Sequence, residues 1–214
     1  STATINIPTI NDAVYESSET FTVTLSNLIN TTAGTLAGQA TITDNETAPT
    51  LSIDDISITE GSTATFTITQ SGTSEVNTTV TWATSNGTAT QPSDYTLGTN
   101  TATITAGNTT TTFNVTTIDD TTDENSEAFT ATLSGPAGAT LVDASGTATL
   151  TDNDAVPNLT VSDVSIAEGG VLTYTVSLSQ LSGKNVTFDW ATSNNTAIQP
   201  GDYTSGSATA ATIT

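Results

Sequence analysis

Cysteine, methionine and histidine are absent from the 214 residues, and Lys184 is the only basic side chain against 22 acidic ones, giving a formal charge of −21. Thiolate chemistry, zinc sites and the Ser-His or Cys-His nucleophile pairs go with the missing residues. Nucleic acid is excluded as a partner, because a phosphate backbone is held by Lys and Arg and this surface repels it. Attachment to an anionic membrane fails for the same reason. No apolar run approaches the roughly 20 residues of a membrane span, so no membrane insertion is expected. Nothing near Ser1 reads as a charged leader followed by an apolar stretch. A signal is expected either outside this segment or not at all.

What the chain does have is threonine, about a quarter of all residues, a β-branched type that suits a pleated, half-solvated surface and disfavours helices. A third of the residues are apolar, enough for a packed core. The organising feature is an internal repeat. Ile42-Thr43-Asp44-Asn45 returns as Leu150-Thr151-Asp152-Asn153, and Trp82-Ala83-Thr84-Ser85-Asn86 returns as Trp190-Ala191-Thr192-Ser193-Asn194. Ile58-Thr59-Glu60-Gly61, Asp94-Tyr95-Thr96 and the Glu16, Glu19, Phe21 set recur in the same way, every pair offset by 108 residues. A repeat of that size is a whole domain. Residues 49–156 read as one complete copy, 1–48 as the second half of a copy and 157–214 as the first half. The two halves together make up a third domain, whose missing positions match Gly107 and Asn108, a pair that reads as a hairpin turn.

Within 49–156, period-2 alternation recurs between turn signals, as in Ala64, Phe66, Ile68, or Phe129, Ala131, Leu133. Seven such segments, from Thr50–Ile53 to Ala148–Leu150, predict an all-β protein of tandem immunoglobulin-like seven-stranded β-sandwiches. Trp82 and Trp190 are then core residues.

The acids are not spread evenly as on a merely soluble surface. They crowd into Glu60, Asp94, the run Asp119-Asp120-Thr121-Thr122-Asp123-Glu124-Asn125-Ser126-Glu127, and Asp152-Asn153-Asp154, and these positions in the three copies hold 16 of the 22 acids. Glu75, Asp143 and Asp189 read as plain surface charge, and Asp54, Asp55 and Asp163 as solvated edge charges. Loops at one end of a sandwich are neighbours in space. Two unit charges about 5 Å apart at an effective dielectric of 20 repel by roughly 3 kcal/mol, so several pairs rival a typical stability of about 5–15 kcal/mol. One Lys cannot neutralise them. An all-oxygen site without His or Cys favours a hard cation, and many flexible ligands suit Ca²⁺ better than Mg²⁺. Several ions per complete domain are expected.

The Glu-Gly after the first strand, Trp-Ala-Thr-Ser-Asn-Gly-Thr-Ala, Pro-Ser-Asp-Tyr-Thr, the Asp-Asp followed by Glu and Glu before Phe-Thr-Ala-Thr-Leu, and the closing Thr-Asp-Asn-Asp resemble the Calx-beta domain family. That resemblance implies an immunoglobulin-like sandwich binding several Ca²⁺ in its end loops. By motif, the implied ligands of the complete copy are Glu60, Asp94, Asp119, Asp120, Glu124, Glu127, Asp152 and Asp154, with Asn153 through a carbonyl and Asp123 less directly. The first fragment keeps Asp12, Glu16, Glu19 and Asp44, but has Asn11 for Asp119, Tyr15 for Asp123 and Glu46 for Asp154; Glu168 and Asp202 belong to the third.

The function expected from these readings is a calcium-binding structural repeat of an extracellular or cell-surface fibre or adhesin, from a prokaryote, in which Ca²⁺ stiffens a string of sandwiches. Its partners are neighbouring copies of the same domain, either in one long chain or through head-to-tail pairing of residues 157–214 with residues 1–48 of another molecule. An adhesion receptor or glycan is left open. The alternatives are a calcium-sensing regulatory module, or a glycosidase using Asp119 with Glu124. Recurrence of the acids in every copy and the lack of an aromatic sugar platform argue against an enzyme.

Overall fold

A computed structural model describes residues 1–214. It is all-β, with fifteen strands: β1 Glu19–Thr24, β2 Ala37–Ile42, β3 Thr50–Ile53, β4 Ile56–Thr59, β5 Thr63–Gln70, β6 Thr78–Asn86, β7 Thr99–Ile104, β8 Thr110–Thr116, β9 Glu127–Ala137, β10 Thr140–Leu141, β11 Ser145–Thr151, β12 Leu159–Val161, β13 Val176–Leu178, β14 Val186–Ala191 and β15 Ser207–Ile213. No helix is long and apolar enough to cross a membrane, which says nothing of a β-barrel.

β3 to β11 form a two-sheet sandwich, one sheet ordered β10-β3-β5-β8 and the other β4-β11-β9-β6-β7. Alternation does the sorting: Ala64, Phe66 and Ile68 of β5 and Phe113 and Val115 of β8 face Trp82 of β6 and Phe129, Ala131 and Leu133 of β9, while the intervening threonines are mostly outside. Phe113 stacks between Phe66, at 5.2 Å, and Trp82, at 4.1 Å between ring centroids. Tyr95 stacks on Phe129 at 4.2 Å. Each fully buried ring or branched aliphatic side chain stabilises the sandwich by about 1.5–3 kcal/mol.

All seven segments marked by alternation are strands, and two more appear, β4 and the two-residue β10. β4 arises because the first strand changes sheets. β3 pairs with β5, the chain crosses at Asp54-Asp55, and β4 then runs parallel to β11. The two aspartates are not free edge charges. Asp54 Oδ1 accepts from Thr67 N at 2.7 Å in one sheet, and Asp55 Oδ1 accepts from Thr147 N at 2.7 Å in the other. Each carboxylate replaces the ladder carbonyl that the crossing removes. Gly107-Asn108 is likewise a turn, with Asn108 N donating to Thr105 O at 3.0 Å, but not a hairpin: β7 and β8 lie in different sheets.

The registers place two ends. Thr63 pairs with Thr116 and Asn86 with Phe129, so the segments 60–62, 87–98, 117–126 and 152–156 gather at one end, and 71–77, 105–109 and 142–144 at the other.

Every buried residue lies between Pro49 and Leu150. Residues 1–48 and 157–214 carry three separate two-stranded sheets, β1-β2, β12-β13 and β14-β15, and no strand of one segment pairs with the other, so no third sandwich closes within one chain. The complete copy stands between them. Trp190 accordingly is 47 % exposed, not a core residue, because no facing sheet covers β14 as β8 covers β6.

Gly146 marks the crossing: a Cβ there would collide with the Asp54 carbonyl oxygen. Gly146→Ala is expected to destabilise the sandwich by about 1–3 kcal/mol, read as a lower urea midpoint for the loss of sheet circular dichroism. An unchanged midpoint would mean that the crossing backbone is not held where the structure has it.

Candidate metal centre

Four loops at the first of these ends carry the acids. Gly61, at φ +73°, turns the β4–β5 loop so tightly that a Cβ there would lie 2.7 Å from the Cβ of Asp119. Glycine is therefore what lets Glu60 and Asp119 share the tip. The 87–98 loop is closed by Asp94, whose Oδ2 accepts from Thr90 N at 2.5 Å. Asp120 Oδ1 accepts from Thr122 N at 2.6 Å, folding the 117–126 loop back on itself. Asp152 ties two loops together: its Oδ2 accepts from Glu124 N at 3.0 Å and its Oδ1 from Asp154 N at 3.2 Å. Asn153 adds N–H donors, from its backbone to Glu60 Oε1 at 3.3 Å and from its side chain to Asp119 Oδ1 at 3.0 Å.

The result is two groups of three carboxylates, Glu60 with Asp152 and Asp154, and Asp94 with Glu124 and Glu127, each having one oxygen apiece within 4.8 Å of the others. Both border one small cavity, floored by Leu150 and lined by Glu60, Asp94, Glu124, Asn125, Glu127 and Asp152. Asp119 and Asp120 stand in the same tip outside the two groups, and Asn153 meets it through N–H groups. Asp123 turns away: it is buried, and its Oδ1 lies 2.6 Å from Lys184 Nζ of the following copy.

In the first copy, Asp44 accepts from Glu16 N at 3.0 Å and from Glu46 N at 3.2 Å, repeating the Asp152 pattern, and Asp12 Oδ1 accepts from Val14 N at 2.8 Å. No group of three carboxylates forms there with Glu19, nor around Glu168 and Asp202, since each half copy lacks the loops that the other half carries. Asp202 Oδ2 accepts from Ile198 N at 2.7 Å, as Asp94 does from Thr90.

The electrostatics of the tip are those of crowded like charge. Burial, then the charge and hydrogen bond of Asp94, then Glu124 and Glu60, push Glu127 up to about 7. Burial, then the charges of Asp120, Asp94, Asp152 and Asp154, raises Glu124. Glu60 is raised by burial against the Asn153 backbone, and Asp154 by burial and then Asp152. Asp152 goes the other way and is lowered: burial opposes, but the N–H groups of Glu124 and Asp154 together with Lys184 outweigh it. In the first copy, the hydrogen bond between Glu46 and Asp44 raises the former and lowers the latter.

Oxygen donors that repel one another, a carboxylate pushed to neutral pH and a small polar-walled space fit a hard divalent cation. Asp154 Oδ2 supplies an independent sign, since it is buried with no hydrogen-bond partner, a state that native side chains seldom tolerate without a ligand. Two features of this end go beyond what the acid pattern alone marks. Lys184, set aside as too little charge, is placed against Asp123 and Asp152, the latter at 3.5 Å. Asp123, grouped with its neighbours, serves the contact with the next copy. The signal was available in the repeat: position 123 is Tyr in the first copy and position 184 is matched by Val76.

A family model described as the Calx-beta domain matches residues 1–55, 43–156 and 152–210. No curated protein matches the chain. Among solved structures, the apo form of the Calx CBD1 domain is 20 % identical with a TM-score of 0.47, covering 50 % of this chain and 100 % of that one. The CBD12 structure from CALX1.2 is 20 % identical with a TM-score of 0.47, covering 74 % and 69 % respectively. The calcium binding domain CBD12 of CALX1.1 is 21 % identical with a TM-score of 0.46, over 49 % of this chain and 44 % of that one.

Because Glu127 in the folded chain titrates above its ordinary 4.5, the folded state holds more protons than the unfolded one between about pH 4.5 and 7, and stability falls as pH rises through that window. In chelator, the melting temperature is expected to rise when pH is lowered from 7.5 to 5.5. Glu127→Gln should flatten most of that slope. A slope of the opposite sign would mean the carboxylates do not crowd.

Proposed function

The chain belongs to the Calx-beta domain family, and from that premise we propose that it is a calcium-binding structural repeat in which ions at the acidic end of each sandwich stiffen a string of such domains. The observation that carries the reading is the pair of carboxylate groups, Glu60-Asp152-Asp154 and Asp94-Glu124-Glu127, around one cavity, with Asp154 Oδ2 left without a partner. We assign one Ca²⁺ to each group in the complete copy. Asp119 and Asp120, which stand in the same tip, would offer further oxygens, and the raised Glu127 would ionise fully with a cation beside it.

The stiffening role follows from where this end lies. The loop that carries Asp120 and Glu124 also carries Asp123, which holds Lys184 of the following copy. Asp152 takes part in both, since it belongs to the first carboxylate group and lies 3.5 Å from Lys184. A cation that orders the 117–126 and 152–156 segments therefore orders the joint as well. The role is binding, not catalysis: the acids recur with the repeat, and the cavity between the groups is too confined for a sugar.

The setting we propose is extracellular or on a cell surface, as part of a fibre or adhesin. Weak oxygen sites of extracellular modules fill at about 10⁻⁴–10⁻³ M Ca²⁺, and a cysteine-free chain stabilised by metal is suited to that level. The partners are further copies of the same fold. β9 pairs with β6 inside the complete copy, while the equivalent edges of β1 and β14 are unpaired. Edges of that kind invite a matching copy, from a longer array or from a second molecule.

Titration calorimetry is expected to find two Ca²⁺ in the complete copy, one per carboxylate group, with millimolar Ca²⁺ raising the melting temperature reversibly. At about 100-fold excess over the dissociation constant the gain is about 2.7 kcal/mol. Asp154→Asn and Glu127→Gln should each remove one site and leave the other. No heat of binding and an unmoved melting temperature would overturn the reading.

A further inference from the structure

The two joints along the chain use one backbone contact. Tyr15 forms a single parallel bridge with Ser74, and Asp123, 108 residues on, forms the same bridge with Ser182. Glu75 N donates to Tyr15 O at 3.0 Å, and Gly183 N donates to Asp123 O at 3.0 Å. Ser74 Oγ donates to Tyr15 O at 3.2 Å and Ser182 Oγ to Asp123 O at 3.3 Å. Each serine hydroxyl in turn accepts, at 3.1 Å, from the amide two residues on, Val76 N or Lys184 N. In both joints a loop from the acidic end of one copy thus meets the opposite end of the next.

The side chains at this shared dock differ. In the second joint Asp123 is 4 % exposed and its carboxylate is met by Lys184, the only Lys or Arg in the chain, at 2.6 Å. In the first joint the same positions are Tyr15 and Val76, with no charge on either. The neighbouring position changes too. Gly183 packs so closely on Glu124 that a Cβ would lie 3.0 Å from its Cγ, whereas Glu75 stands at that place in the first joint.

We propose that these residue pairs are a matching device that sets which copy docks after which: a copy with Asp at the docking position takes a successor with Lys, and a copy with Tyr takes one with Val. The reason lies in the penalty on wrong neighbours. Docking the 73–76 loop onto Asp123 would leave a buried carboxylate with Val76 beside it and no cation, the arrangement for which breaking a buried ion pair is most destabilising. Docking the 181–184 loop onto Tyr15 would strip Lys184 of Asp123. The common backbone contact supplies the pose, and the side-chain pair supplies the choice.

The test is a double-mutant cycle on the whole chain. Because the protein has no cysteine, Thr101→Cys on β7 and Thr187→Cys on β14 give one unambiguous spin-label pair across the second joint, and the distance distribution reports docked against undocked populations. Each of Asp123→Tyr and Lys184→Val alone should shift the docked-to-undocked ratio by about fivefold or more, and the two together, which recreate the Tyr–Val pair, should return it to within about twofold of the original. Circular dichroism melts of each variant separate undocking from unfolding of the complete copy. Lys184→Gln, which keeps the chain length and removes the charge, should behave as the valine single variant does. The inference is overturned if the double variant is as undocked as the singles, if the singles match the original, or if the original itself shows no preferred distance. Measurement in Ca²⁺ and in chelator keeps this outcome apart from that of the calcium reading, which fails on binding heat and melting temperature instead.

Discussion

Mutual repulsion among carboxylates that the fold will not let separate is the constraint on which this molecule turns. The tip loops start and stop on strands whose inner faces are committed to the core: β5 through Phe66, β6 through Trp82, β9 through Phe129 and β11 through Leu150. Moving Glu60 away from Asp152 would require withdrawing β4 from β11, to which it is paired over four residues. Moving Glu127 away from Asp94 would require shifting β9 against β6, to which it is paired up to Asn86–Phe129 beside the tip. The apolar core thus holds in place charges that would otherwise drift apart, and that stored repulsion is available to any cation that enters.

The loops meet this constraint with backbone N–H groups before any ion is considered. Asp152 takes two, Glu60 takes one from Asn153, Asp94 takes one from Thr90 and Asp120 one from Thr122. Each donor orients a carboxylate and offsets part of its charge. The groups left least satisfied are Glu127, raised to about 7, and Asp154, with an orphaned oxygen. They belong to different groups of three, so the unmet demand for positive charge is spread over two places.

Much of this was legible in the sequence because two periodicities are strong. Alternation at Ala64-Phe66-Ile68 or Phe129-Ala131-Leu133 marks strands in a chain with few helix formers, and the 108-residue repeat shows that the acids recur with the fold instead of with surface position. That the four acidic segments share an end follows from strand order in a sandwich. What was not legible depends on a single interruption or on a neighbour. Asp54-Asp55 breaks the alternation between Ile53 and Ile56, and from sequence it reads as a strand end with exposed charge. In three dimensions it is a change of sheet in which each carboxylate replaces a lost ladder acceptor. Trp190 has the sequence surroundings of Trp82, but burial needs a second sheet, which no pattern within 157–214 can supply.

The same distinction governs Lys184. Charge counting treats one cation among 22 acids as negligible, and in a uniform field it would be. Here its ammonium lies 2.6 Å from Asp123 and 3.5 Å from Asp152, the acid that anchors two loops of the tip. Position, not number, decides its effect, because Coulomb energy falls with distance and with solvent screening. Held by Asp123, Lys184 offsets part of the crowding that a divalent ion would otherwise have to meet alone. A cation in the first carboxylate group and the neighbouring domain would therefore meet at the same carboxylate, Asp152. On the proposed reading, whatever orders the tip for one partner positions it for the other, and occupancy of the site would be linked to the geometry of the joint through a single side chain.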